Sequence, residues 1–415
     1  MKYQVSEKVQ NALNVLTKKE DVLKAVQFME DDQEETIQKQ IELTLIPAPT
    51  FQEEKKAKRL LEMFQAEGLE DCHIDEYGNV VGIRKGTGNG KTVLVEGHMD
   101  TVFPMDTELK IRRENGWIYC PGIVDDTRGC AAVLSTIRAL NHARIQTKGD
   151  IQFVGTVQEE GMGALRGMQY YVQHHPELDA SISIDGSGYK EITYEATGIQ
   201  TYEFTFHGIG GHAYGAFGEI ANPIHALGRA IEKISKIEVP SDPKTTFAVT
   251  GIYGGSYESI HAIVDKATFT LNFRSNSQEE LEKLRTKIFT CIEEACKEET
   301  LRWGKNEITY TYQHFMDVNA GTQDSHATIV EGAMAISHYL GCEEPQLGHG
   351  GSTNCSRALE GGLPAVCLGG GEDYDSKCHS LQEQFQEKDA FKGCQIALLL
   401  ALLCAGVEGV DSIIQ

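Results

Sequence analysis

Residues 92–100 have the sequence TVLVEGHMD, in which a short apolar run is followed at once by two polar side chains. Thr92–Glu96 predicts a buried strand, and His98 and Asp100 come just after it. Thr127–His142 then carries apolar residues at helical spacing. Strands and helices continue to alternate in this way, which predicts an α/β fold with a mainly parallel sheet flanked by helices.

Other predicted strands of this sheet are also followed by side chains that can bind a metal. The strands and their following residues are Ile151–Val157 with Glu159 and Glu160, Ser181–Ile184 with Asp185, and Ala365–Leu368 with the more distant His379. In open α/β sheets the carboxyl ends of the strands face one crevice, so residues far apart in sequence meet there. Asp125 and Asp126, at the start of the Thr127 helix, are predicted to join them.

Histidines and carboxylates without a cysteine form a ligand set that suits zinc, and also cobalt or manganese. Two ions that share one carboxylate and lower the pKa of a bridging water are a common hydrolytic design. Taken singly, these residues have ordinary explanations, such as a core histidine, a helix cap at Asp125 and Asp126, or a solvated Glu159–Glu160 pair. Their order and position at successive strand ends favour a metal site.

The composition limits the class of protein. The chain has 415 residues, which predicts two domains, and 40% of them are hydrophobic, which predicts a folded protein. Its formal net charge of −23 argues against a nucleic acid as a partner, because nucleic-acid binders need a basic surface. The longest apolar stretch, Ile396–Val407, is too short to cross a bilayer, and the first residues lack the apolar run of a secretory signal. Eleven scattered cysteines predict reduced thiols and a cytoplasmic location.

The sequence pattern changes near Gly198. From there to Gln313 the predicted elements follow the order β-α-β-β-α-β, which matches the ferredoxin-like arrangement. We therefore expect a catalytic metal-binding domain made of residues 1–196 and 316–415, and an inserted α+β lid domain over residues 197–315.

Six segments resemble, in the same order along the chain, those of the co-catalytic zinc peptidases related to aminoacylase, carboxypeptidase G and peptidase T. The segments are GHMDTV (97–102), GIVDDTRG (122–129), QEEGMGALRG (158–167), SIDG (183–186), GHGGSTN (348–354) and CHSLQE (378–383). The resemblance extends from about Ile46 to the C-terminus and is strongest to the peptidase T-like members. It implies that family's two-domain fold and the metal-dependent hydrolysis of an amide bond.

The resemblance implies two sets of metal ligands that share one bridging residue. The sets are His98, Asp125 and Asp185 for one ion, and Asp125, Glu160 and His379 for the other. Asp100 would bond the far nitrogen of His98 and fix its tautomer. Glu159 would be the general base that takes a proton from the attacking water and returns it to the leaving amine.

The same resemblance implies substrate contacts outside the metal ligands. His212, in the segment GIGGHAYG, would steady the oxyanion, from the other subunit in dimeric relatives, and Arg274 would grip a substrate carboxylate. Gly350, Gly351 and Ser352 would offer backbone donors near the terminal carboxylate of the substrate. The ordinary alternatives are a loop histidine, a salt bridge at a strand edge and a plain loop.

The chain departs from the family pattern on the substrate side, while all five proposed ligands and the proposed base are retained. The departures are Thr127 in place of a lysine, Asn354 and Ser356 in place of an aspartate and an asparagine, and Glu258 and His261 in place of an asparagine and a proline. The charge of Glu258 predicts that a strongly acidic substrate side chain is disfavoured.

Three functions stay open at this point. The first is an exopeptidase that acts on di- or tripeptides, the second is a deacylase that acts on an N-acyl amino acid, and the third is a non-catalytic metal-binding module. The expected partners are a small peptide or N-acyl amino acid as substrate and a second copy of the chain, joined through the lid domain. Neither a nucleic acid nor a membrane is expected as a partner.

Overall fold

The chain divides after Ala196 and again after Gly321. One unit comprises Met1–Ala196 and Thr322–Gln415, and the other comprises Thr197–Gly321. The structure is a computed structural model, and it describes residues 3–186, 188–303, 306–348 and 351–414. Within these ranges no helix is long and apolar enough to cross a membrane.

The regular elements are numbered along the chain. The helices are α1 (Glu7–Leu16), α2 (Glu20–Asp31), α3 (Gln33–Thr44), α4 (Glu54–Ala66), α5 (Thr127–Ala143), α6 (Arg166–His174), α7 (Pro223–Ile234), α8 (Gln278–Trp303), α9 (Thr328–Tyr339), α10 (Asn354–Glu360) and α11 (Phe391–Ala405). The strands are β1 (Glu70–Ile74), β2 (Val80–Arg84), β3 (Val93–His98), β4 (Arg112–Glu114), β5 (Trp117–Tyr119), β6 (Ile151–Thr156), β7 (Ala180–Ile184), β8 (Glu191–Thr193), β9 (Gly198–His207), β10 (Gly211–His212), β11 (Thr245–Tyr253), β12 (Ala262–Ile263), β13 (Lys266–Ser275), β14 (Thr309–Val318), β15 (Gln346–Gly348), β16 (Ala365–Leu368) and β17 (Gln384–Gln386).

The first helices each bury one apolar face. Leu13 and Leu16 of α1 and Val22 of α2 are buried, and the polar residues between them face water. The sequence predicts two or three helices before residue 64, whereas the structure has four. The difference arises because Asp32 separates α2 from α3 without a proline or glycine, so the helical spacing of apolar residues does not mark the break.

The first unit contains an eight-stranded mixed sheet in the order β1-β2-β6-β3-β7-β16-β8-β15. Its central strands β6, β3, β7 and β16 run parallel to one another. Strand β2 pairs antiparallel with both β1 and β6, and β8 pairs antiparallel with β16. Helices α5 and α11 pack on one face, and α6 and α10 pack on the other. The predicted fold class, a mainly parallel sheet flanked by helices, is confirmed.

The second unit contains a four-stranded antiparallel sheet in the order β11-β13-β9-β14. Alternate residues of β9 and β13, including Phe204 and Phe269, are buried with apolar residues of α7 and α8 such as Leu227 and Ile288. The order of these elements is β-α-β-β-α-β, and a short β10–β12 ribbon is added to it. The second unit extends to Gly321, a few residues beyond the boundary expected after residue 315, because β14 remains paired with β9 as far as Val318.

Arg128, in the first turn of α5, binds the loop after β16 through hydrogen bonds. Its side chain is fully buried. Nε donates to the Gly370 carbonyl at 2.6 Å, and Nη2 donates to the Ala390 carbonyl at 2.7 Å. Nη1 donates to the side-chain oxygen of Gln40 at 3.2 Å. A buried guanidinium with several acceptors is costly to remove, because each acceptor is left without a donor.

We expect Arg128→Met to lower the free energy of unfolding of the protein by about 3 kcal/mol, because it fills similar space but removes every donor. Guanidinium denaturation followed by circular dichroism measures the loss. Arg144→Met, at an exposed position directly after the same helix, is the control and should cost less than about 0.5 kcal/mol. Equal losses in the two variants would contradict the role given to Arg128.

Candidate metal centre

The predicted ligands lie at one edge of the central sheet. His98 is the last residue of β3, Glu159 and Glu160 follow β6, and Asp185 directly follows β7. Because β6, β3 and β7 are parallel neighbours, their carboxyl ends meet, and the side chains that follow them converge. The fold therefore brings together residues that are far apart in the sequence.

Asp125 lies between the two histidines. It immediately precedes Asp126, the N-cap of α5. Its Oδ1 lies 3.1 Å from His98 Nε2, and its Oδ2 lies 2.9 Å from His379 Nε2. One carboxylate thus presents a different oxygen to each imidazole, which is the arrangement that a bridging ligand requires.

Glu160 and His379 complete the second side of this carboxylate. His379 Nε2 lies 2.9 Å from Glu160 Oε1 as well as 2.9 Å from Asp125 Oδ2. His379 has a φ of 62°, in the left-handed region that favours glycine. A histidine held in this conformation within a loop is typical of a functional position. In the set predicted for one ion, His379 is therefore in contact with both Asp125 and Glu160.

His98 lies close to Asp125 and to Asp185, but the predicted set of these three residues is not one of the groups whose ligand atoms all converge within the described chain. The groups with ligand atoms within 4.8 Å of one another are His98 with Asp125 and Glu160, and His98 with Glu159 and Asp185. Glu159 Oε2 lies 4.0 Å from His98 Nε2. The Oε1 atom of Glu159 is buried and has no hydrogen-bond partner within the described chain. The Glu159 carboxylate therefore lies among the proposed ligands, and its Oε1 is available to accept a proton or a hydrogen bond.

Asp100 contacts the His98 ring and the backbone N–H groups of Glu159 and Glu160. Its Oδ1 lies 3.4 Å from His98 Nδ1 and accepts the Glu159 N–H at 3.0 Å, and its Oδ2 accepts the Glu160 N–H at 3.0 Å. The Thr50 hydroxyl donates to Oδ2 at 2.9 Å. A carboxylate so placed orients the imidazole of His98 and fixes the backbone that carries both glutamates.

Two further buried carboxylates hold the backbone of the ligand segments. Asp126 Oδ2 accepts the His98 N–H at 2.9 Å, and its Oδ1 accepts the Gly129 N–H at 2.9 Å; the Asp125–Asp126 peptide bond is cis. Glu383 is fully buried and accepts the N–H groups of Val124 at 2.7 Å and Asp125 at 2.9 Å. The sequence prediction gave Glu383 no role, although it lies in the CHSLQE segment.

Lys56 is a second residue that the sequence prediction missed. It is 2% exposed on α4. Burial lowers the pKa of Lys56, while Cys130, Asp100 and Asp126 act in the opposite direction. A lysine side chain is therefore buried where it interacts electrostatically with the carboxylates of Asp100 and Asp126, and its protonated form would offset part of their repulsion.

The pKa shifts of the ligands reflect crowded negative charge. Burial, together with Asp125 and Glu160, raises the pKa of Asp185 to about 7, against the influence of His98. Burial likewise raises the pKa of Glu159 well above its usual value, with Asp185 adding to the effect and His98 opposing it. Hydrogen bonds to Asp125 and Glu160 raise the pKa of His379 to about 10.

The donor set fits two divalent cations. It contains only imidazole nitrogens and carboxylate oxygens, which are ligands of zinc, cobalt and manganese. The buried carboxylates repel one another, so a bound cation would stabilise the group in the ionised form. The shared position of Asp125 provides for two ions rather than one.

The predicted substrate contacts are distributed over both units. His212 and Arg274 belong to the second unit and are exposed there; Tyr214 N–H donates to His212 Nδ1 at 3.2 Å, and Arg274 Nε donates to Asn272 at 3.1 Å. Gly351 forms a parallel bridge with Ala196 in the first unit. Ser352 is half-buried beside it. Gly350 lies outside the described residues.

Residues 94–403 match the sequence model of the peptidase family M20/M25/M40. The chain therefore belongs to this family of peptidases, which confirms the resemblance found in the motifs.

Two curated relatives match parts of the chain. A putative [LysW]-lysine/[LysW]-ornithine hydrolase of Pyrococcus abyssi is 31% identical over 45% of this chain and 52% of its own length. A succinyl-diaminopimelate desuccinylase of Corynebacterium glutamicum is 29% identical over 55% of this chain and 63% of its own length. The chain thus spans less than two thirds of the length of these relatives.

Solved structures share the fold over most of the chain. The aminopeptidase PepT of Bacillus cereus has a TM-score of 0.73 at 22% identity, covering 89% of this chain and 97% of its own. A tripeptidase of Staphylococcus aureus has a TM-score of 0.72 at 24% identity, covering 89% and 98%. The YxeP protein of Bacillus subtilis, described as a dinuclear metal-binding peptidase, has a TM-score of 0.66 at 16% identity, covering 91% and 99%.

Replacement of Asp100 by asparagine tests the support of the ligands. We expect Asp100→Asn to weaken zinc binding about 10- to 100-fold, because the amide cannot accept both backbone N–H groups and face His98 as an anion. Competition with a chelating dye measures the affinity. Asp106→Asn, at an exposed position in the same segment, should leave the affinity unchanged, and an unchanged affinity in Asp100→Asn would show that the contact is dispensable.

Metal binding should release protons, because ligands bind in their deprotonated form. With the pKa of Asp185 raised to about 7, that of His379 to about 10 and that of His98 well above its usual value, the metal-free protein carries on each of these ligands, at pH 6, a proton that a metal ion must displace. We expect about three protons to be released at pH 6, falling to about two as the pH rises to 8 because Asp185 then loses its proton before binding. Calorimetric titration in buffers of different ionisation enthalpy counts them; a count that stays constant across this range would contradict the raised pKa of Asp185.

Proposed function

We propose that the protein is a hydrolase that cleaves the amide bond of short peptides with two divalent metal ions. The observation that carries this proposal is the position of Asp125, whose two carboxylate oxygens face different histidines. The ligands would be His98, Asp125 and Asp185 for one ion, and Asp125, Glu160 and His379 for the other. Zinc is the first choice for both ions, with cobalt or manganese as alternatives.

Each side chain near the ligands has a task in this proposal. The bound ions would polarise the scissile carbonyl and acidify a water. Glu159 would accept a proton from that water and then donate it to the leaving amine, and its unpartnered Oε1 supports this role. Asp100, 3.4 Å from His98 Nδ1, would keep the proton of the imidazole on that nitrogen, which leaves Nε2 free as a ligand.

The second unit would act as a lid and as the contact between two copies of the chain. His212 would steady the oxyanion, and Arg274 would bind the substrate carboxylate together with the backbone around Gly350, Gly351 and Ser352. Exposed apolar side chains in this unit, such as those of Tyr214 and Tyr257, 90% and 96% exposed, support a role in association. A homodimer would follow.

A short peptide is the preferred substrate class. This preference is supported by the aminopeptidase and the tripeptidase among the structures that share the fold, and by the motifs, which are nearest to the peptidase T-like members. The match to a desuccinylase favours the second candidate, a deacylase acting on an N-acyl amino acid. Both reactions use the same attack of water on an amide.

The test is hydrolysis by the purified protein with zinc, cobalt or manganese, using a panel of free di- and tripeptides and N-acetyl amino acids. We expect cleavage of the free peptides, and a loss of about 10²- to 10⁴-fold in kcat in Glu159→Gln because the proton acceptor is gone. Glu408→Gln, exposed in the same unit, should retain full activity.

The panel also separates the alternatives. Cleavage of the acylated substrates alone would contradict the peptidase proposal and support the deacylase. Metal binding without turnover on either set would favour the non-catalytic module, and full activity in Glu159→Gln would contradict the role of this residue as the base.

A further inference from the structure

A cleft in the first unit lies next to the segments that carry Asp125 and His379. Its volume is about 680 Å³, and its lining comes from three stretches of chain, residues 107–112, 119–121 and 377–382. No role has been given above to the lining residues, which in the last stretch are Lys377, Leu381 and Gln382. The cleft is large enough for part of a small organic molecule.

The charge of this cleft is opposite to that of the chain as a whole. Acidic residues outnumber basic ones by 61 to 38 in the sequence, yet the cleft is lined by Lys110, Arg112 and Lys377 against a single acidic residue, Glu108. Within the described chain the side chains of Lys110 and Lys377 form neither an ion pair nor a hydrogen bond. Two ammonium groups are thus available to an anion from outside.

The walls of the cleft suit the carbon skeleton of an organic anion. Arg112 pairs with Glu114 and lies over the ring of Tyr119, 3.7 Å from its centroid. Pro121 and Leu381 also line the cleft, and Leu381 is 72% exposed. Apolar surface beside positive charge favours a carboxylate on a short aliphatic chain over an inorganic ion.

The cleft is within reach of the proposed metal ligands along the backbone. Lys377 precedes His379 by two residues, so their Cα atoms are at most about 7 Å apart. The two sides of the cleft are also joined, because Cys120 N–H donates to the Glu383 carbonyl at 3.2 Å and Tyr119 pairs with Gln384 between β5 and β17. An anionic group bound to Lys377 would therefore lie near the loop that carries His379.

We propose that this cleft binds an anionic group of the substrate, and that the preferred substrate is a short peptide with a glutamate or aspartate side chain directed toward Lys110 and Lys377. This inference rests on the proposed function. It reverses the expectation drawn from Glu258 in the second unit, because the basic cleft adjoins the ligand segments within the first unit.

The experiment compares peptides that differ only in charge. The probes are Glu-Ala with Gln-Ala, and Ala-Glu with Ala-Gln, cleaved by the wild type and by the double variant Lys110→Ala/Lys377→Ala. The control is Lys18→Ala/Lys388→Ala, which removes two exposed lysines and so changes the net charge equally.

In at least one of the two pairs, we expect kcat/KM for the acidic peptide to fall about tenfold in the cleft variant, through a higher KM. In the same variant kcat/KM for the neutral peptide should not change, and in the control variant neither value should change. Equal effects on acidic and neutral peptides, or no effect on either, would overturn the proposal.

A direct binding measurement keeps this proposal separate from the proposed function. If the wild type cleaves none of the four peptides, calorimetric titration with glutarate, a dicarboxylate of similar length, tests the cleft alone. Binding by the wild type and the control that is lost in the cleft variant supports the cleft. Equal binding by all three proteins, or no binding by the wild type, overturns it.

Discussion

The carboxylate of Asp125 is the contact on which the rest of the centre depends. It lies 3.1 Å from one histidine and 2.9 Å from the other, and those histidines come from the end of β3 and from a loop more than 270 residues further along the chain. The surrounding structure serves to hold this carboxylate. Glu383 accepts the N–H of Asp125 itself, and Asp126 begins the α5 helix. Arg128 then anchors the same helix to the loop after β16.

Such a centre concentrates negative charge that the fold must stabilise. The buried carboxylates of the ligands are backed by Asp100, Asp126 and Glu383, which accept backbone N–H groups of the ligand segments. Burial, and then the repulsion of Asp125 and Glu160, raises the pKa of Asp185 to about 7. Bound divalent ions would remove that repulsion, which couples metal binding to the stability of this edge of the sheet.

The sequence predicts those parts of the fold that are coded by local runs. Thr92–Glu96 and Ala365–Leu368 are continuous apolar stretches, and both are buried strands at the centre of the sheet. Strands β1 and β4 were not predicted, because β1 is largely polar and partly exposed and β4 has only three residues, all exposed. His98, Glu160 and Asp185 were predicted because each comes at or just after the end of a strand. Asp125, before α5, and His379, in a loop, took their roles from the resemblance to the family. Glu383 and Lys56 were missed, since Glu383 meets Asp125 across 258 residues and Lys56 lies on a helix where a lysine normally faces water.

The most direct measurement of the central claim is anomalous diffraction at the zinc edge from crystals of the protein grown with zinc. We expect two anomalous peaks, roughly 3.5–4 Å apart. One should lie beside His98 and the other beside His379, with the Asp125 carboxylate between them. A single peak, or zinc bound away from Asp125, would contradict the claim that this carboxylate bridges two ions.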